Sequence, residues 1–375
     1  MRKRFCSILG LGVLLVGMSC YGQGTKSRFW QKLNPDSLVN RPLHVLPVPV
    51  FRTSPETGFQ AGVSVDYFFN ADTLPTTRNS YVWIQALYST RRQIVLEPAW
   101  QVFTKDEKYF MRGRGGYVVF SENFWGVGNQ TLPEEDYLNA SYNRTYFQGD
   151  FYRRTKGKLF LGISAYYSDV RNVKFDDTVR LGEIDPFLGA EANRIVGIGP
   201  SVLWDYRNDA FSPTRGWYAN AHYRQHFTGL GSTFGYGEQL LDVRKYFALD
   251  AKNLLAVQGN GQFTQGGVPF HDLPRLGGNS IMRGYTLGRF RDRQLWSAQA
   301  EYRRNLGRFL VAAAFLSAGG VAPKIKDFSF ATTRYSGGAG LRILINRQMN
   351  LYTRVDFAVT SDRTTGFYFR IFDAF

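Results

Sequence analysis

The chain has almost no cysteine. Of its 375 residues only Cys6 and Cys20 carry a thiol, so no internal disulfide framework and no cysteine-based metal site can form. Histidine is nearly as sparse, with His44, His222, His226 and His271. His222 and His226 sit four apart in a strand-like stretch, about 13 Å along one face, too far to grip one ion. Long apolar runs are missing as well. No stretch of about 18 apolar residues follows Met18, which excludes a helical membrane protein. Nor does any Gly-x-Ser-x-Gly occur, so a lipase built into a membrane protein lacks its nucleophile signature. No enzymatic activity, cofactor or metal is expected.

What is present begins with an address. Arg2, Lys3 and Arg4 precede a short apolar run, Ile8 to Met18, then small and polar residues from Ser19 to Gln23. That is the layout of a cleaved secretory signal peptide over residues 1–22, cut after Gly22. A lipoprotein cut before Cys20 is the rival, with Met18 and Ser19 making a poor recognition box. Residues 23–42, with Pro35 and Pro42, read as a short periplasmic lead, too short to fold as a domain. Residues 43–375 carry the fold.

Aromatics make up 16% of the chain and 39 residues are glycine. Polar average hydropathy with many aromatics and glycines fits a transmembrane β-barrel, in which every second residue meets lipid. The period is two throughout. In one stretch Leu351, Thr353, Val355, Phe357 and Val359 alternate with Tyr352, Arg354, Asp356 and Ala358. In another, Leu161, Ile163, Ala165 and Tyr167 alternate with Gly162, Ser164, Tyr166 and Ser168. Such alternation marks strands with one apolar and one polar environment. The pattern predicts 16 strands, near 43–52, 58–69, 80–90, 93–104, 108–120, 141–154, 157–169, 194–206, 216–227, 234–248, 252–265, 293–305, 309–320, 335–346, 349–360 and 365–375. Most are longer than globular strands and suit a tilted membrane crossing.

Link lengths test this independently. Residues 121–140, 170–193, 266–292 and 321–334 all join an odd strand to an even one, and the even-to-odd links are mostly tight. Outer-membrane barrels show the same asymmetry, with long loops outside and short turns in the periplasm. The 69–79 link is the exception. A soluble sandwich or lipocalin-like barrel would have shorter strands and a charged outer face. Here the apolar face runs through Phe367, Phe369 and Ile371 to Phe375. The expected fold is therefore an all-β, 16-stranded antiparallel transmembrane barrel of the bacterial outer membrane. Its formal charge is +16, or +13 without the three cations of the signal. The arginines are spread through alternating strands rather than gathered in one cluster, so no nucleic-acid partner is expected. Lumenal water, outer-membrane lipid and lipopolysaccharide phosphates account for the charge better.

Three segments stand out. One is Gly277-Gly278 followed by Met282-Arg283-Gly284-Tyr285, in the longest link. A second combines Asp205, Arg207, Asp209, Pro213 and Gly216 at a turn on the opposite side. The third is Phe315-Leu316-Ser317-Ala318-Gly319 on a strand. Together they resemble the BamA/TamA superfamily of outer-membrane assembly and secretion barrels, the bacterial surface antigen family. The resemblance covers about residues 43–375 and implies that the sixth outer loop folds back into the lumen, anchored by Arg283. A guanidinium inside a barrel needs carboxylates, which it can grip bidentately. The family places an acid where Ser317 stands. Glu301, on the polar face of the neighbouring strand, is the expected replacement, with Asp356 second. The family's periplasmic POTRA domains do not fit in residues 23–42, so a member without them is expected.

The resemblance implies insertion or export of a polypeptide client or an accessory protein. It also implies a weak seam between the first and last strands. Pro47 and Pro49 in the first strand would remove two ladder donors there, unless they only mark an approach segment. Phe375 would lie at the same seam. A passive pore for small anions and a scaffold for a partner protein are the alternatives.

Overall fold

The computed structural model describes residues 39–375 except 41, 55–57, 75–76, 183 and 185. The expected signal segment 1–22, Cys20 and most of the 23–42 lead lie outside the described residues. Sixteen strands form one sheet, each antiparallel to its neighbours in sequence. They are β1 (Val45–Ser54), β2 (Gly58–Phe69), β3 (Ser80–Ser89), β4 (Ile94–Phe103), β5 (Tyr109–Phe124), β6 (Leu138–Arg154), β7 (Leu159–Phe175) and β8 (Asn193–Asp205). The second half comprises β9 (Gly216–His226), β10 (Tyr236–Ala248), β11 (Asn253–Gly266), β12 (Gln294–Asn305), β13 (Leu310–Ala322), β14 (Arg334–Asn346), β15 (Leu351–Thr360) and β16 (Thr365–Ile371). Phe372, next after β16, packs 6.3 Å from Phe68 on β2 and 5.1 Å from Tyr81 on β3. The sheet is thus curled round a lumen as a barrel, and no hydrogen-bonded ladder joins β16 to β1 among the described residues.

Burial along the strands is inverted relative to a soluble protein. Leu161, Ile163, Ile198, Leu316, Phe357, Phe367 and Phe369 are exposed, whereas Glu301, Asp356, Arg342 and Arg354 are buried. Exposed apolar residues in unbroken alternation make a lipid-facing surface, and the charged residues face a lumen. Trp204, Tyr206 and Trp217 mark one rim of the apolar belt, with the Lys245 ammonium 4.3 Å from the Trp217 ring. Ile198 stands six residues from Trp204, close to the belt's middle. Ile198→Arg is expected to cost about 2–4 kcal/mol, measured by urea unfolding in bilayers. An unchanged midpoint would place Ile198 away from lipid.

The long links 125–137, 176–192, 267–293 and 323–333 all leave the end opposite to that rim. At the rim, links such as 155–158, 249–252 and 347–350 are tight. The link after β2 is long for a reason. Asp72 accepts from the Leu74 and Asp106 backbone N–H groups and from Thr77 Oγ1, at 2.8–3.0 Å. The folded link then sends Arg78 back into the barrel mouth, where it meets Glu107 at 2.8 Å and also Asp205.

Pro47 and Pro49 lie inside β1, whose register with β2 is continuous. The His44 carbonyl accepts from Phe68 N–H, so even-numbered residues of β1 bond to β2 and odd-numbered ones point away. Both prolines are odd. The two missing donors are therefore lost from the edge that faces β16, not from the β1–β2 ladder.

The last strand ends earlier than the alternation predicts. β16 stops at Ile371, and Phe372 takes a positive φ of 69°. The chain then turns into the lumen. Phe375, expected at the seam, is instead buried against Tyr246, Leu254 and Ala256 on β10 and β11. The positive φ breaks the two-residue period, so Phe375 does not continue the lipid face.

Candidate functional site

The sixth outer loop, residues 267–293, enters the lumen. Its stem is a short ribbon in which Arg275 and Leu276 pair with Arg291 and Phe290. Its tip is packed by Leu276, Met282, Tyr285, Phe290, Leu295 and Val321. Gly277, Gly278 and Gly284 all have positive φ, as does Met282. At Gly277 a Cβ would stand 2.5 Å from the Thr286 carbonyl oxygen, and Gly284 is similarly confined. A Cβ there would stand 2.6 Å from Thr360 Cγ2, and the φ of 108° is barred to other residues. The Gly284 N–H donates to Tyr368 Oη at 2.8 Å, and Thr364 Oγ1 donates to the Gly284 carbonyl at 3.1 Å. Tyr285 Oη meets Ser361 Oγ at 2.9 Å. The tip thus grips β16 and the turn before it.

Arg283 is wholly buried. Its Nη2 lies 2.8 Å from Glu301 Oε2 and its Nη1 lies 2.7 Å from Asp356 Oδ2. The guanidinium also rests 3.4 Å from the centre of the Phe315 ring. Both candidate acids hold it together, one per nitrogen. Ser317, the third candidate partner, does not reach Arg283, and its Oγ is buried without a hydrogen bond. The ladder explains the choice. Glu301 pairs across β12–β13 with Phe315, whose strand neighbour is Gly338, and Asp356 pairs with Gly340. Gly338 and Gly340 leave room for the ring and the carboxylate. Ser317 sits one step higher, and the Gly319 of the same motif packs under Leu276.

The two acids are shared. Glu301 also accepts from Arg303 at 2.7 Å and Arg342 at 2.8 Å. Asp356 also accepts from Arg342 at 2.5 Å and Arg354 at 2.7 Å. Arg303 and Arg342 reach on to Asp373, at 2.8 and 3.3 Å. Arg354 Nη2 donates to the Asn279 carbonyl at 2.6 Å, and Gln299 Nε2 donates to that of Ser280 at 2.7 Å. Four guanidiniums and three carboxylates therefore form one network, which joins the loop-six tip to the tail after β16. Breaking one member of such a network costs far more than breaking a surface pair.

A second anchor lies nearer the outer end. Asp272 accepts from Tyr166 Oη at 2.5 Å, Arg144 at 2.8 Å and Tyr236 Oη at 2.9 Å. Glu122 takes Arg275 and Arg291 at 3.3 and 3.4 Å. Above them Phe124, Phe175, Phe187 and Phe270 close an aromatic cap. Sequence reasoning missed this anchor, because Asp272 falls in a loop with no periodicity.

His271 is buried within the cap, against Phe270 and Tyr142. Burial pushes its imidazole down to about 4, against the pull of Asp272. Its folded pKa lies below the unfolded value of about 6.5. The resulting stability is present above that value and is lost as pH falls through the folded one. The cap is expected to loosen between pH 6.5 and 4, by about 3 kcal/mol in all. His271→Phe should flatten the pH profile of protease cleavage in loop six. A profile that keeps its slope in that variant would assign the acid sensitivity elsewhere.

The turn motif is built at the periplasmic end. Asp205 accepts both Nε and Nη2 of Arg207 at 2.9 Å, besides Arg78. Asp209 Oδ1 accepts the Phe211 and Ser212 N–H groups at 2.7 and 2.8 Å. Gly216 has φ of 112°, and a Cβ there would meet the Tyr206 carbonyl at 2.1 Å. Pro213, with Phe211, lines a lumenal cavity of about 380 Å³, along with Arg112, Arg207, Arg244 and the tail.

An arginine of the outer loop held by lumenal acids beside the last strand is now joined by sequence evidence. Residues 133–375, about two-thirds of the chain, match the Omp85 superfamily domain. The chain belongs to the Omp85 superfamily. Among solved structures this Omp85 barrel is similar to BamA from Haemophilus ducreyi lacking POTRA domains 1–3. That match has a TM-score of 0.54 and 14% identity, over 87% of this chain and 68% of that one. CdiB from Escherichia coli gives a TM-score of 0.57, 9% identity, and 87% and 61% coverage. CdiB from Acinetobacter baumannii gives 0.55, 12%, and 87% and 59%. The chain thus spans about three-fifths to two-thirds of these structures. No curated protein matches the sequence.

Proposed function

We propose that this barrel inserts or exports a polypeptide client, or a tethered partner protein, through a seam between β1 and β16. The observation that supports it most is the build of that seam. β1 offers an edge stripped of two donors by Pro47 and Pro49, and β16 spans only Thr365–Ile371. An edge weak in hydrogen bonds beside lipid can accept another strand. The loop-six tip holds β16 from the lumen side through Gly284, so moving the tip would free that edge. No step in this reading needs catalysis.

Depleting the protein and quantifying the whole outer-membrane proteome tests the proposal. Loss of one surface or outer-membrane protein supports a dedicated carrier, and an unchanged proteome argues against translocation. A second test acts on the seam itself. Pro47→Val with Pro49→Val restores two donors, each worth about 1 kcal/mol. The double variant should unfold at higher temperature and deliver less client. A more stable barrel with full delivery would separate the seam from transport.

The anion-pore reading draws on the arginines around the lumenal cavity. Against it stand loop six and the tail, which both occupy the lumen. The resting protein is expected to conduct poorly in planar bilayers, and steady porin-like conductance would favour the pore.

A further inference from the structure

The seventh outer loop, residues 323–333, carries a feature that neither the lumen nor the seam uses. Phe330 is 94% exposed and Ile325 is 63% exposed. Both belong to short helical turns, Ile325–Asp327 and Phe330–Thr332. The second turn is held rigidly. Ser329 Oγ accepts the Ala331 N–H at 3.2 Å, and the Ser329 carbonyl accepts the hydroxyls of Thr332 and Thr333 at 3.1 and 3.0 Å. Lys324 and Lys326 flank Ile325, and neither has an ion-pair partner among the described residues. Burying the Phe330 and Ile325 side chains would remove a large apolar area from water.

The loop's position says what covers it. Even-numbered residues of β13 face lipid, as the 72% exposure of Leu316 shows. Gly320 belongs to that face. A Cβ there would stand 3.6 Å from both the Thr332 carbonyl and Trp296 Nε1. The Thr332 end of loop seven therefore lies on the outer side of the barrel wall, whereas Asp327 of the first turn approaches Asp292 of loop six. Tyr335, half exposed on the same side, continues the surface. The Phe330 turn adjoins the lipid-facing side, and the exposed Lys324 and Lys326 precede it in the same loop.

We propose that loop seven is an interfacial anchor for phosphorylated outer-leaflet lipid. Phe330 and Ile325 enter the acyl boundary, and Lys324 and Lys326 pair with lipid phosphates. Anchoring there would fix β13 and β14 against the leaflet, on the wall that carries Phe315 and Arg342 of the loop-six network.

A nitroxide at Phe330→Cys, in the full chain with Cys6→Ser and Cys20→Ser, tests this directly. The protein is folded into vesicles whose outer leaflet is lipopolysaccharide, with heat-modifiable gel migration as the folding check. Collisions with oxygen should dominate over those with a water-soluble nickel chelate. Replacing the lipid by an uncharged, phosphate-free galactolipid, or introducing Lys324→Glu and Lys326→Glu, should weaken immersion by about fivefold per lysine. A label at Ile325→Cys should behave alike. Free access of the chelate to both labels in lipopolysaccharide vesicles would overturn the proposal. So would shielding that depends on protein concentration or on added envelope protein instead of lipid, since the occupant would then be a protein.

Discussion

Arg283→Ala should release the loop-six tip from the barrel wall and lower stability by about 3–5 kcal/mol, the worth of two hydrogen bonds between charged groups. The side chain is wholly buried and makes two charge-assisted contacts, to Glu301 and Asp356. The acids themselves would not be stranded. Glu301 keeps Arg303 and Arg342, and Asp356 keeps Arg342 and Arg354. The cost therefore comes from the lost pin and from the void over the Phe315 ring, and it falls on the loop. Loop six should become open to added protease, and bilayer conductance should rise above that of the unaltered protein. Arg283→Lys should recover only part of this, because one ammonium cannot span two carboxylates as a planar guanidinium does. High salt should change little, since the network is out of water. If Arg283→Ala keeps full protease resistance, the outer anchor at Asp272 and Glu122 holds the loop unaided. Arg283→Ala combined with Asp272→Asn would then expose it.

The strand count, the lipid and lumen faces and the long outer loops were all readable, because each rests on a period of two or on link length. The contact between Arg283 and Glu301 was also within reach, since alternation puts Glu301 on the lumen face. What alternation could not supply was register. Asp356 lies on a strand distant from Glu301 in sequence, and only the ladder through Phe315, Gly338 and Gly340 brings the two acids to one guanidinium. Asp272, Arg78 and Glu107 were missed because they sit in links, where no period applies. The inward tail did leave a trace. Extending the lipid face from Phe367, Phe369 and Ile371 by two would put Asp373 into the bilayer. A carboxylate there is costly enough to have marked the end of the strand.

Replacing Phe372 and Asp373 together by alanine should open the periplasmic mouth. The tail crosses from β16 to the opposite wall. Phe372 packs on Phe68, Tyr81 and Phe211, and Phe375 packs on Tyr246 and Leu254. Between them Asp373 binds Arg303 and Arg342 and accepts from Ser212 Oγ. Without Asp373 those two guanidiniums keep only Glu301 and Asp356, which already serve Arg283. The substitution should cost about 3–5 kcal/mol and raise conductance. It should also make loop six more open to protease, although no tail residue touches the loop-six arginine. Coupling through shared carboxylates predicts that the tail variant and Arg283→Ala are non-additive, by about 0.5–3 kcal/mol in unfolding free energy. Strict additivity would mean that mouth and loop are held separately. Non-additivity would mean that displacing the tail loosens the grip on β16 in the same event.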